Sequence, residues 1–249
     1  MTIDIAGRTA LVTGASRGFG RAITIALSAA GARVVGLARD PAPLEDLRAE
    51  LGDSFTPVPA DAADPVVAGQ LIDAYRPVLL VLNAGAAPLA RPIQRHTWQT
   101  FSRNWDVDVQ HVFNWTRESL LAPLEPGSLV IALSSGAAVR GSPLSGGYAG
   151  AKATIRFISS YAAAESERDG LDITFVSLLP QLTAVTGLGA AAVAGYAARE
   201  GIEVSAFLDR AGPALTTEQA GQAVADLATG RVKGHGAYLL TAGGLSPAP

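Results

Sequence analysis

TALVTGASRGFG, residues 9–20, is the stretch whose reading decides the fold. Its first five residues form an apolar, β-type run that passes without a linker into Gly14, Gly18 and Gly20. The RAITIALSAAG that follows reads as a helix closed by Gly31. Glycines at a strand-to-helix turn let the backbone approach a pyrophosphate, and the helix start presents unpaired N–H groups to it. The spacing is G-x-x-x-G-x-G, and no Gly-Lys-Ser/Thr of a P-loop follows. A tight structural turn is the competing reading of such glycines; the strand–turn–helix context favours the nucleotide.

Outward from this unit, apolar runs alternate with helix-type segments to the end of the chain. ARVVGLARD, VLLVLNAG, SLVIALSS, LDITFVSLLP and GAYLLTAGG read as strands, as does the run beginning FTPVP. APLEDLRAELG reads as a helix, and Asp64 before Pro65 as the cap of the next one, which ends abruptly near Arg76 and Pro77. Thr97 to Leu121 reads as one long helix with Trp98, Phe101, Trp105 and Val112 on a stripe. Asp108 falls on that stripe and so needs a partner. Thr216 with Gln219 makes a possible capping box. The alternation predicts a Rossmann-like, doubly wound α/β fold: one domain over 1–249, with a seven-stranded parallel sheet and helices on both faces.

Composition excludes other classes. The net charge of −3, with no run of Lys and Arg, argues against a nucleic-acid surface. Each apolar run is broken well before the roughly 18 residues that a membrane span needs. MTIDIAGRTALVTG lacks a basic stretch with a hydrophobic signal core and reads as a cytoplasmic start. The absence of cysteine rules out disulfides and thiolate chemistry. His96, His111 and His235 have no metal-ligand partner at useful spacing and read as structural, so no metal site is expected.

The chemistry concentrates in SSGAAVRGSPLSGGYAGAK, residues 134–152. Tyr148 and Lys152 are four apart and share one face of a helix. An ammonium near a phenol favours the phenolate, which makes Tyr148 a candidate proton donor and acceptor. Lys152 is one of two lysines beside seventeen arginines, so the position wants a compact ammonium. A Y-x-x-x-K pair is also common as surface packing, but here Ser134 and Ser135 end an apolar run just upstream. A hydroxyl at a strand end and a phenol on the next helix can meet at one substrate oxygen.

With TGASRGFG in front and LNAG in the middle, the chain from about Thr9 to Gly244 resembles the single-domain short-chain dehydrogenase/reductase family. The resemblance implies hydride transfer between a nicotinamide cofactor and a carbonyl or secondary alcohol. Ser135, thirteen residues before Tyr148, matches the family serine, with Tyr148 as acid/base and Lys152 on the nicotinamide ribose. The cofactor would lie against Gly14, Ser16, Arg17, Gly18, Phe19 and Gly20. It would continue past Arg39, Asp61, Ala62, Asn83, Ala84 and Gly85 to Tyr148, Lys152, Pro180 and Thr183. Ala38 stands where NAD enzymes want a carboxylate, so Arg39 and Arg17 favour NADP(H) over NAD(H). The rival is that Asp40 reaches the ribose.

Three positions depart from the pattern. Leu82 replaces the first of two asparagines, and Gln181 replaces the glycine after Pro180, which leaves an amide near the substrate. Asp108 takes the slot of an asparagine whose backbone carbonyl anchors a water leading to the lysine; a backbone carbonyl survives the side-chain change, so the resemblance implies that relay here too, with pairing of Asp108 to Lys152 as one option. Asn104, Asn114 and a purely structural Asp108 remain alternatives. Residues 182–215 occupy the place of a substrate lid, and their Val, Leu, Phe and Tyr content suggests a small uncharged carbonyl or alcohol substrate. An ordinary surface helix pair is the alternative. The resemblance also implies a homodimer or homotetramer. A different class stays open: a catalytically impaired NADP(H)-binding sensor or assembly protein of the same fold.

Overall fold

The computed structural model of the chain describes residues 4–231 and 236–249. His235 lies outside the described residues. Strand β1 (Thr9–Thr13) is followed by α1 (Gly18–Ala29), β2 (Arg33–Ala38), α2 (Ala42–Leu51), β3 (Phe55–Pro59), α3 (Pro65–Tyr75) and β4 (Leu79–Leu82). Next come α4 (Trp98–Asn104), a π-helical turn (Trp105–Val109), α5 (Gln110–Leu121), β5 (Leu129–Leu133), the short α6 (Ala137–Arg140) and α7 (Gly146–Arg168). The chain ends with β6 (Thr174–Pro180), α8 (Gly187–Glu200), α9 (Val204–Ala211), α10 (Thr217–Ala228), β7 (Ala237–Thr241) and β8 (Gly244–Pro247).

The strands lie in the order β3-β2-β1-β4-β5-β6-β7-β8, parallel except for the last. The expected Rossmann-like, doubly wound sheet is present, with eight strands in place of seven. β8 pairs antiparallel with β7 because only Ala242 and Gly243 separate them. A parallel return needs a crossover of about a dozen residues or more, so so short a link can only make a hairpin.

Alternate residues of the strands feed two cores. Val12, Val34, Leu79, Val81, Ile131 and Leu178 pack with Ile23 and Leu27 of α1, Leu44 and Leu47 of α2, and Val224 of α10. Leu11, Leu37, Leu80, Leu82 and Val130 face the other way, toward Ile72 of α3, Val112 and Trp115 of α5, and Ile155 and Ala162 of α7. Both faces are thus covered, which is why the strands read as continuous apolar runs. Asp64 Oδ1 accepts from the Val66 N–H and caps α3, and the Thr216–Gln219 capping box opens α10. Arg76, in the left-handed region at φ 45°, ends α3 beside Pro77. Among the described residues no helix is long and apolar enough to cross a membrane.

One helical reading needs correction. Trp98 to Leu121 is continuous, but the π turn inserts an extra residue and shifts the phase of the helix. The expected stripe therefore splits: Val112 is buried, whereas Trp98 is 76% exposed and Trp105 faces solvent in part. Asp108 is the residue the π turn carries fully inside.

Gly36 shows how closely the first three strands are packed. A Cβ there would lie 2.3 Å from the ring of the buried Phe55 and 3.0 Å from Ala15. Gly36→Ala should therefore cost about 1–3 kcal/mol through overpacking. That is a fall of several degrees in Tm, at about 2–4 °C per kcal/mol; an unchanged melting temperature would show that Phe55 moves aside freely.

Candidate active site

The strand order reverses direction of growth between β1 and β4, so their carboxyl ends open a crevice. The glycine loop after β1 and the Asn83–Gly85 loop after β4 flank that crevice, and one threonine joins them. Thr13 Oγ1, fully buried, accepts from the Asn83 and Ala84 N–H groups at 2.9 and 3.1 Å and donates to the Val81 carbonyl. Asn83 Nδ2 returns hydrogen bonds to the carbonyls of Thr13 and Gly14, at 3.0 and 3.2 Å. Gly20 has to be glycine, because a Cβ would sit 2.0 Å from the Gly14 oxygen; Gly14 itself has φ +69°. Thr13 was readable only as the last residue of an apolar run, so sequence reasoning missed it as the lock between the two loops.

The first turn of α1 has no side-chain cap: Arg17 precedes it in extended conformation and bonds none of its N–H groups. The donors of Gly18, Phe19 and Gly20 are thus the right kind of group for a pyrophosphate, and Ser16 lies in the same turn. Arg17 and Arg39 are both exposed, and neither guanidinium has a partner among the described residues. Asp40, the rival for the ribose, has Oδ1 occupied by the Ala42 N–H at 3.2 Å. Asp61 at the end of β3 similarly accepts from Ala63 N–H, and the Ala62 carbonyl accepts from Trp115 Nε1.

At the neighbouring strand end, Ser134 Oγ donates to the Lys152 carbonyl at 2.7 Å and binds α7 to β5. Ser135 follows on the same rim, half-buried, its Oγ accepting from Ala137 N–H. Tyr148 is half-buried on α7, with Lys152 Nζ 5.5 Å from its ring centroid. Lys152 Nζ donates to the Leu133 carbonyl at 3.0 Å and lies 3.3 Å from Asp108 Oδ2, both side chains almost wholly buried. Asp108 Oδ1 accepts from Ala86 N–H at 2.7 Å. Asn104 Nδ2 donates to the Ala86 carbonyl at 2.8 Å and to Asp108 Oδ2 at 3.4 Å. The two rivals therefore have separate tasks: Asn104 joins the Asp108 cluster, while Asn114 donates to the Ala63 carbonyl away from it.

At the end of β6, Pro180 is buried, and the N–H of the next residue, Gln181, donates to the Leu240 carbonyl. The Gln181 amide does not stand free near a substrate as expected; Nε2 donates to the Pro213 carbonyl at 2.9 Å. Thr183 Oγ1 donates to the Leu215 carbonyl, so the two side chains tie the start of the 182–215 segment to its end.

The family profile described as short chain dehydrogenase matches residues 8–197. The chain belongs to that family. L-xylulose reductase of Bos taurus is 33% identical over 168 residues, 66% of this chain and 68% of that protein. L-xylulose reductase of Mesocricetus auratus is 35% identical over 133 residues, 52% of this chain and 54% of that protein. The match thus spans about half the length of the Mesocricetus protein. A solved 3-ketoacyl-(acyl-carrier-protein) reductase from Brucella melitensis, complexed with NADH, superposes with a TM-score of 0.77 at 24% identity, over 94% of this chain and 96% of that one. At that identity the likeness speaks for the fold.

In this family member the buried charges around α7 act on one another. Burial pushes the Lys152 ammonium toward its neutral form, but the Asp108 carboxylate, then Tyr148, outweigh it and the pKa is raised. His111, one turn after Asp108, is fully buried with neither ring nitrogen hydrogen-bonded. Burial, and next the Lys152 charge, lower its pKa to about 3, with the Ala84 backbone opposing weakly. His96 is satisfied by Thr100 and the Arg91 carbonyl. Among the described residues no group of His, Cys, Asp or Glu is placed to hold a metal ion.

His111 makes a pH dependence that can be given a sign. The unfolded chain binds its proton near pH 6.5 and the folded chain only near 3, so between these values the unfolded state holds more protons. Stability from this group is present above about pH 6.5 and lost as pH falls, approaching about 1.4 kcal/mol per pH unit. His111→Asn should flatten the stability curve in that window; an equally steep acid limb would show that His111 ionises at no cost.

Proposed function

We propose that this chain is an oxidoreductase that interconverts a small carbonyl compound and a secondary alcohol, using NADP(H) in preference to NAD(H). The observation that carries the reading is the meeting of Tyr148 and Lys152 on one turn of α7, bound to the end of β5 beside Ser135 and next to the crevice between β1 and β4. The relatives named as L-xylulose reductases, and a Sus scrofa protein named carbonyl reductase [NADPH] 2, support a carbonyl substrate.

The donors of the α1 first turn fit the pyrophosphate, with Gly14, Ser16, Gly18, Phe19 and Gly20 allowing close approach. Arg17 and Arg39 would hold the 2′-phosphate, Asp61 and Ala62 the adenine, and Asn83, Ala84 and Gly85 the adjoining ribose. Pro180 and Thr183 would border the nicotinamide. When bound, that group supplies or accepts the hydride. Ser135 donates a hydrogen bond to the substrate oxygen, and Tyr148 gives or takes its proton. Lys152, kept charged by Asp108, holds the nicotinamide ribose and favours the ionised phenol during transfer. The direct Asp108–Lys152 pair stands where an asparagine and a water would serve in relatives.

Residues 182–215, carrying α8 and α9, would form the lid, with Leu182, Val185 and Leu188 as its exposed apolar side chains. A second copy of the chain is supported by exposed Trp98, Phe113 and Leu121 on α4 and α5 and by Phe157 and Tyr161 on α7. A cytoplasmic place for the protein is part of the same proposal.

Tyr148→Phe should lower turnover by about 10² to 10⁴ while cofactor binding is kept. A variant with most of its activity would end the acid/base assignment. Tight NADPH binding with no turnover of ketones, quinones or aldehydes by the unaltered protein would instead assign it to the sensor class. For the cofactor, Arg39→Ala should weaken NADPH by about tenfold and leave NADH unchanged, as expected for one lost charge-assisted contact at an exposed site. Equal NADPH and NADH affinities before the substitution would overturn the preference.

A further inference from the structure

The turn that enters α7 also walls a separate cleft of about 380 Å³. Arg91 and Ile93 line it from the segment after β4, Phe101 from α4, Ser142 and Pro143 from the turn, and Arg199 from α8. These segments are pinned to one another. Arg91 N–H donates to the Leu144 carbonyl at 2.7 Å, and Ser142 Oγ hydrogen-bonds both Ser145 Oγ, at 2.7 Å, and the Tyr196 hydroxyl of α8. The Gly195 backbone lies against Leu144 and Ala90, where even a Cβ would be in contact. The cleft is therefore a built feature of the fold.

Its charge is one-sided. No Asp or Glu lines it, and neither the Arg91 nor the Arg199 guanidinium has a hydrogen bond or ion pair among the described residues. Glu200, the acid nearest Arg199 in sequence, is held by Arg210 instead. Guanidinium forks match the planar oxygens of an oxyanion, and the apolar walls of Ile93, Phe101 and Pro143 suit a short hydrocarbon spacer. Gly146 also lines the cleft, so the cleft borders the same first turn of α7 that carries Tyr148 on another face.

We propose that this cleft takes the far end of the substrate and that this end is an oxyanion. The substrate class is then carbonyl compounds with a carboxylate or phosphate remote from the reacting carbon. The inference rests on the assignment of Tyr148 and adds a charged end to the uncharged reacting end.

The test uses methyl ketone carboxylates of increasing chain length and their methyl esters with the NADPH-loaded protein; ketones ending in a phosphate monoester form a parallel arm that separates the two anions. At the best length, kcat/KM for an acid should exceed that of its ester by about tenfold. Arg91→Gln and Arg199→Gln should each cut the acid by about five- to tenfold and leave the ester unchanged, the size expected for an exposed charge-assisted contact. Acids no better than esters at every length, or variants that treat both alike, would overturn the proposal. Calorimetric titration of the acid into NADPH-loaded Tyr148→Phe reads binding without turnover. Binding that disappears in the arginine variants supports the cleft even if no substrate reacts, in which case it is the catalytic reading that fails; no acid binding there overturns the cleft.

Discussion

The ion pair between Lys152 and Asp108 is the constraint to which the rest of the site is fitted. Both side chains are out of water, at 7% and 1% exposure, and two such charges carry a desolvation cost of several kcal/mol each. Their 3.3 Å contact offsets that cost with the help of the hydrogen bonds made around it. Asp108 receives the Ala86 N–H and the Asn104 amide, and Lys152 reaches the Leu133 carbonyl. Gly85 leaves room for the pair, since a Cβ there would lie 3.0 Å from Asp108 Oδ2 and press on it. The pair thus joins three elements, the loop after β4, the π turn and α7, and removing either partner would leave an uncompensated charge inside the protein.

The sheet explains why these elements meet. Parallel strands put all their carboxyl ends on one rim, and the change of direction between β1 and β4 opens that rim at one place. Thr13 and Asn83 close the bottom of the opening by bonding the two flanking loops to each other. On the next strand along, Ser134 fastens α7 to β5, so Ser135 and Tyr148 come to the same edge without contact in sequence. At the far side, Gln181 and Thr183 tie the start of the 182–215 segment to Pro213 and Leu215 near its end. The segment is therefore closed on itself where it leaves β6.

The departures from the family pattern have local physical answers. Leu82 is 1% exposed and fills the second core, where an asparagine would need partners that the strand does not offer. Gln181 gives up backbone freedom but supplies the amide that holds Pro213. Asp108 in place of an amide brings a full charge to Lys152, and the neighbouring His111 is left neutral because burial disfavours its charged form and a second cation beside Lys152 adds to that cost.

Much of this was legible from residues in order. Strand runs, helix caps at Asp64 and Thr216, the glycine loop, and the Ser135, Tyr148 and Lys152 spacing all depend on neighbours a few positions apart, where period and turn chemistry act directly. That Asp108 on an apolar stripe needs a partner also followed, because burying a lone charge is costly at any fold. What only the tertiary structure decided is where long-range geometry enters. The π turn that swings Asp108 inward and Trp98 outward depends on packing against α7, and Thr13 becomes a lock only when β1 and β4 lie side by side. The antiparallel β8, and the cleft between Arg91 and Arg199, 108 positions apart in the chain, likewise arise from contacts that no local pattern encodes.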